Sequence, residues 1–200
     1  MKTQIQLTIL WLFILSSLST FSQNDTTKCG TWRWSIKTLT DTAGIPLLTK
    51  QPIPASIDSM VLILPPKILK ASSRKDGKLP RYTREKQVVE ITAYVTEILT
   101  EADHDLHFVL KSPTSDKTMV GEIPDPTCPD YDNNPTLRAH FTQTRIDGMK
   151  VKDKWKETKK NPVKVKITGV PFWDGVHSGN VTGSSKYFRE IHPILSIEIQ

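Results

Sequence analysis

The sequence predicts a mainly β protein in which five strands close a small barrel, one helix lies between the third and fourth strands, and a proline-rich arm precedes them. Three observations predict it. Alternating apolar and polar residues recur in five short runs after Val88, the period of half-buried strands. A helix start, Asn134-Pro135, falls between the third and fourth runs. Before Val88 the chain carries Pro46, Pro52, Pro54, Pro65, Pro66 and Pro80, a density that suits a wrapping arm better than central strands.

The barrel strands follow in order. Val89, Ile91, Ala93 and Val95 alternate with Glu90, Thr92, Tyr94 and Thr96 in the first. In the second, Leu106, Phe108 and Leu110 point one way and His107, Val109 and Lys111 the other, which assigns His107 to the polar face. The third, Met119 to Ile123, stops at Pro124. The helix presents Leu137, His140, Phe141 and Thr144 on one face and ends at Asp147-Gly148. Val163, Val165 and Ile167 define the fourth strand, and the fifth, Ile191 to Ile199, buries Leu195, Ile197 and Ile199. Five strands with a helix after the third is the order of an OB-fold, a partly open Greek-key barrel.

The N-terminus, Met1-Lys2 followed by an apolar run from Leu7 to Leu18 and small residues up to Ser22, reads as a secretory signal peptide. That run is shorter than the roughly 20 residues of a spanning helix, and no later segment is long and apolar enough. The expected organisation is a signal peptide over 1–22, an arm over 23–86 and a barrel over 87–200. The expected compartment is secreted or periplasmic. Cys29 and Cys128, an even count outside the cytoplasm, predict one disulfide. The formal net charge of +6 fits solubility as well as it fits an anionic partner.

The residue pattern resembles a group of small secreted bacterial proteins with no assigned activity. The resemblance rests on Cys29-Gly30-Thr31 with Arg33 through Asp41, and on Asp105 to Leu110. It continues through Met119 to Cys128, then Thr168-Gly169-Val170, and closes with Glu190 to Leu195. It implies an OB-type barrel fronted by a proline-rich arm and supplies no activity. The chain departs from that pattern at Trp32, where an acidic residue is expected, and in the loop from Trp173 to Gly183.

Three sets of residues are candidates for function. Lys150, Lys152, Lys154 and Lys156 stand at alternate positions, on one side if extended and spread if helical. With the aromatics Trp32, Trp34, Trp173 and Tyr187 they form the candidate contacts for a nucleic acid or other polyanion, or for a polysaccharide. Trp32 and Trp34 share a face if their segment is extended, and a core role is the commoner one for such a pair. Asp103, His104, Asp105 and His107 are the densest group of ligand-type side chains, able to hold a divalent metal through nitrogen and oxygen or to shape a hairpin turn. His177, Glu190 and His192, with Asp174 nearby, form a second and sparser group that is more often structural. The chain lacks a Gly-x-Ser-x-Gly elbow, a P-loop and a dinucleotide fingerprint, so no cofactor other than a divalent metal is expected. A secreted binding module is the leading expectation. A metal-dependent hydrolase or nuclease built on 103–107 and a domain docking on an envelope protein are the alternatives.

Overall fold

The computed structural model describes residues 29–66, 79–174, 183 and 189–200. The predicted signal peptide, His177 and Tyr187 lie outside the described residues.

Five strands form a closed barrel, preceded by a two-residue strand. After β1 (Ile53–Pro54) come β2 (Val89–Thr100), β3 (Leu106–Lys111), β4 (Thr118–Ile123), β5 (Val163–Trp173) and β6 (Arg189–Ile199). The barrel runs β2-β3-β4-β6-β5 and closes by β5 pairing back on β2, with β4 and β6 parallel and the remaining barrel pairs antiparallel. β1 adds parallel to the start of β2. This is the OB-fold-like arrangement expected, and full closure removes the exposed barrel edges.

Inward positions follow the alternation, with two interruptions. Val89, Ile91, Ala93 and Val95 enter the core, and a bulge between Val95 and Glu97 resets the phase so that Ile98 does too. On β6, Ser196 pairs with Thr168 and Ile194 with Gly169, so Leu195 is bulged out of the ladder. Ile191, Ile194 and Ile197 therefore fill the barrel. Leu195 instead joins a second cluster with Trp34, Leu137, Phe141 and Val170. The expectation that Ile199 is buried is corrected: it is 46% exposed, beyond the reach of the core.

Three α-helices complete the described chain: α1 (Trp34–Lys37), α2 (Ile57–Met60) and α3 (Pro135–Glu157). Ile57, Met60 and Val61 join the barrel core, and the Asp58 carboxylate accepts hydrogen bonds from Ser112, Thr114 and Ser115 in the β3–β4 turn. α2 thus closes one end of the barrel. Asn134 caps α3 by accepting from the Leu137 amide, with Pro135 in the first turn as expected.

The predicted end of this helix at Gly148 is wrong, because α3 continues to Glu157. Buried positions 137, 141, 144, 148, 151 and 155 form an unbroken four-three helical stripe once Gly148 is counted as part of it. There the glycine permits close approach: an added Cβ would lie 2.7 Å from Ile123 Cδ1 and 3.1 Å from Phe108 Cζ.

The same continuation disposes of an extended lysine row. At about 100° per residue, Lys150 and Lys154 leave one side of α3 while Lys152 and Lys156 leave nearly the opposite side. Lys150, Lys154 and Lys156 pair with Asp147, Glu157 and Asp153. The extended reading of Trp32 and Trp34 is likewise corrected, since a turn at Trp32 and Arg33 leads into α1. Among the described residues no helix is long and apolar enough to cross a membrane.

Candidate functional site

The N-terminal segment is fixed to the barrel by the Cys29–Cys128 disulfide and by Trp34 Nε1 donating to Asp130 Oδ2 at 3.0 Å. A disulfide is compatible with a secreted or periplasmic location. By covering the outer face of β3, β4 and β6, this segment buries side chains that strand parity assigns to the outside. His107 points outward as its parity requires, yet it is 1% exposed, so its assignment to a solvated polar face is corrected.

Register then assembles the cluster. His107 stands opposite Glu122 across the β3–β4 ladder, and its Nδ1 lies 3.0 Å from Glu122 Oε1 and 3.2 Å from Glu101 Oε1. β6 brings His192, whose Nδ1 is 2.7 Å from Glu122 Oε2 and 3.8 Å from Glu190 Oε2, and whose Nε2 is 3.4 Å from Asp105 Oδ2. Lys37, from α1, places its ammonium 3.7 Å from Asp174 Oδ1 and 3.9 Å from Glu122 Oε2. Asp105, Glu122, Asp174, Glu190, His107 and His192 are all buried. Of the group, Lys37 and Asp174 line a cavity of about 240 Å³, together with Gly30, Trp32, Trp34 and Asp103. A larger cleft of about 440 Å³ beside Tyr94, Lys111 and Asp116 has no buried charged side chain among its described lining residues.

Electrostatics follow from crowding acids where water is excluded. Burial raises the Glu190 pKa to about 7, reinforced by the charges of Asp174 and Glu122. Asp105 is raised to about 6 by burial, against the opposing pull of His192. For Glu122 burial acts upward, but Lys37, His192 and the His107 hydrogen bond hold it well below the usual carboxylate range. Burial and Lys37 act to lower His192, yet Glu122 and Asp105 raise it well above an ordinary imidazole. Lys37 is penalised by burial too, and the surrounding carboxylates, Asp174 first, more than offset that and raise it.

A pH dependence follows. Glu190 titrates near 4.5 unfolded and near 7 folded, so the folded state binds the extra proton between those values and its stability falls as pH rises through the window. Asp174, Glu122, His192 and Lys37 are the charged groups facing it. In EDTA, wild-type protein should lose about 1 to 3 kcal/mol more stability than Glu190→Gln between pH 5 and pH 7. Urea titrations at the two pH values check this; parallel losses in both proteins would refute it.

The sequence candidates divide on this geometry. Asp105 and His107 meet Glu190 and His192 of the second group, with Asp174 at the rim. Asp103 lines the cavity and accepts from the Asp105 amide at 3.4 Å. His104 turns away: its side chain is 57% exposed, with Nδ1 3.7 Å from Asp125 Oδ2. Trp34 and Trp173 are buried, and Trp32 is half-buried with its ring edge-on to Phe172. The four lysines of α3 take no part. Glu101, Glu122 and Lys37 were not singled out from the sequence. The signal for Glu122 is pairing opposite His107, visible only once β3 and β4 are in register.

These observations define an OB-fold-like barrel protein with a buried, acid-rich cluster containing two histidines on its outer face. No family model matches the sequence, and no curated protein matches it. Among solved structures the chain is similar to an asparaginyl-tRNA synthetase from Entamoeba histolytica in complex with asparaginyl-adenylate, at 9% identity with a TM-score of 0.32. That similarity covers 62% of this chain and 22% of the synthetase chain, so the chain spans about a fifth of that enzyme's length, and at this level the likeness carries no functional argument.

Proposed function

We propose that the protein is an exported, OB-type binding module that takes a cationic ligand on the outer face of β3, β4 and β6. One observation carries the reading: four buried carboxylates, Asp105, Glu122, Asp174 and Glu190, crowd together, and one of them, Asp174, lines a cavity where Lys37 supplies the one lysine or arginine charge among the described lining residues. OB barrels bind ligands on this face, between the loop after the first barrel strand and the loop between the last two. Here those are the 101–105 turn and the β5–β6 connection. Gly183 of that connection, at φ 79°, stands over Val109 of β3, where an added Cβ would lie 2.6 Å from Val109 Cγ1.

A polyanion is disfavoured at this face by the carboxylates, and the helical lysines offer it no single surface. An oligosaccharide finds half-buried Trp32 as the one described tryptophan with open surface beside the cavity. The paired cysteines and the leader-like N-terminus support a compartment outside the cytoplasm.

Thermal melts with spermidine, with Zn²⁺, Mn²⁺ or Ca²⁺, and with a single-stranded oligonucleotide test the reading. A cation at a hundredfold excess over its Kd should raise Tm by about 5 to 10 °C, and the oligonucleotide should not. Asp174→Asn combined with Glu190→Gln should at least halve the cation shift. Stabilisation by the oligonucleotide alone, or a cation shift untouched by the double substitution, would refute it.

A further inference from the structure

We infer that the cation is a divalent transition-metal ion held by Asp105, Glu122 and His192, an inference that rests on the binding reading above. Asp105, Glu122 and His192 each offer one ligand atom within 4.8 Å of the others. Proximity of acids alone would not single out a metal.

The hydrogen bonding does. His192 is fully buried, and its ring nitrogens meet carboxylates as ion-pair contacts, Nδ1 with Glu122 Oε2 and Nε2 with Asp105 Oδ2 at 3.4 Å, rather than as well-directed hydrogen bonds. Glu122 Oε2 is close enough to Nδ1, at 2.7 Å, but a contact that short fails as a hydrogen bond only through its direction. Asp105 Oδ2 and Glu190 Oε2 are likewise buried without a hydrogen bond. Buried polar atoms in such number are uncommon in one spot and call for a partner.

The carboxylates are also divided in the way metal ligands are. Asp105 Oδ1 accepts the Asp125 amide at 2.9 Å, which fixes the carboxylate and leaves Oδ2 toward His192. Glu122 Oε1 is engaged by His107 at 3.0 Å, leaving Oε2 on the His192 side. In each, one oxygen is anchored by an outer partner, the role outer-shell contacts play around bound metals, and the other is held only by ion-pair contacts, with His192 and for Glu122 also with Lys37, that an ion can replace.

Distances and donor type narrow the ion. Two donors about 2.0 to 2.2 Å from a tetrahedral ion stand about 3.3 to 3.5 Å apart. The separation of 3.4 Å between Asp105 Oδ2 and His192 Nε2 fits an ion on the Nε2 side as it stands, whereas the 2.7 Å contact of Glu122 Oε2 is made to the other ring nitrogen, Nδ1, so the Glu122 carboxylate must swing to the Nε2 side to join them. An imidazole nitrogen with two carboxylate oxygens favours zinc, manganese or iron over calcium or magnesium, which take oxygen ligands. Three protein donors leave a position for water or an external ligand, and Lys37 can stay with Asp174 when Glu122 turns to the ion.

The test is isothermal titration of Zn²⁺ and Mn²⁺ into the disulfide-bonded, EDTA-stripped protein. One ion per chain is expected, with Asp105→Asn and Glu122→Gln each weakening affinity at least tenfold and Glu101→Gln less than threefold. Binding weaker than about 1 mM, wild-type affinity in both Asp105→Asn and Glu122→Gln, or a loss confined to Glu101→Gln would overturn the assignment. Because a failure of the buried variants to fold would silence their titrations, Co²⁺ is added to wild type as well. Intense visible absorption supports a low-coordinate site with nitrogen and oxygen donors, and its absence overturns one. Stabilisation by spermidine without any metal binding would overturn the metal alone, and failure of every cation would overturn the binding reading with it.

Discussion

Replacing Glu85 with glutamine is expected to cost about 3 to 5 kcal/mol of folding stability, because it leaves a fully buried guanidinium without its counter-charge. Arg33 and Glu85 are both 0% exposed and meet through two hydrogen bonds, Nη1 to Oε1 at 2.8 Å and Nη2 to Oε2 at 2.5 Å. Arg33 also donates to the Trp173 and Pro80 carbonyls, and Glu85 accepts the Tyr82 and Trp173 amides. The rings of Trp32, Tyr82 and Phe172 lie 4.9 to 5.5 Å from the guanidinium carbon. One ion pair therefore joins the N-terminal segment, the turn before β2 and the end of β5. Urea titration should show a lower midpoint at an unchanged slope, and Tm should drop by roughly 10 °C. A loss below about 1 kcal/mol would sink the argument. The double variant Arg33→Met with Glu85→Leu should recover more than half of the loss, since the penalty comes from the orphaned charge and not from the pair's absence.

That ion pair marks where the sequence stopped being legible. Val89 to Val95 and Val163 to Ile167 declare their faces because one face meets a core and the other meets solvent or a charged neighbour. The outer face of β3 and β4 gives no such signal, because what covers it comes from residues 29–41, some 70 positions away. His107 is therefore assigned correctly to the outside and wrongly to solvent. Gly148 reads locally as a stop, but tertiary contact with Ile123 and Phe108 makes it a place where the helix must pass close. The bulge at Leu195 changes phase through pairing with Thr168 and Gly169, which the β6 sequence alone does not encode. The site was legible as two separate groups, 103–107 and 190–192. Their union depends on Glu122 and on β6 lying parallel beside β4, a barrel-closure property that no local spacing reveals.

Removing the disulfide should lower stability by about 4 to 5 kcal/mol in the chain-entropy model, since Cys29 and Cys128 are separated by 99 positions. Its effect on the site should be different in kind. Asp105, Glu122 and His192 all belong to barrel strands or the turn that joins two of them, so the metal donors stay in place if the N-terminal segment loosens. That segment brings the Lys37 ammonium, a charge of the same sign as the ion, so its departure removes a competitor. In Cys29→Ala with Cys128→Ala, under conditions where the barrel remains folded, zinc affinity should stay within threefold of the oxidised wild type or tighten. Paired urea and zinc titrations measure both quantities. Collapse of zinc affinity in a folded variant would mean that the N-terminal segment supplies a donor, and a stability change below about 1 kcal/mol would mean that Trp34, Arg33 and their partners hold the segment without the cross-link.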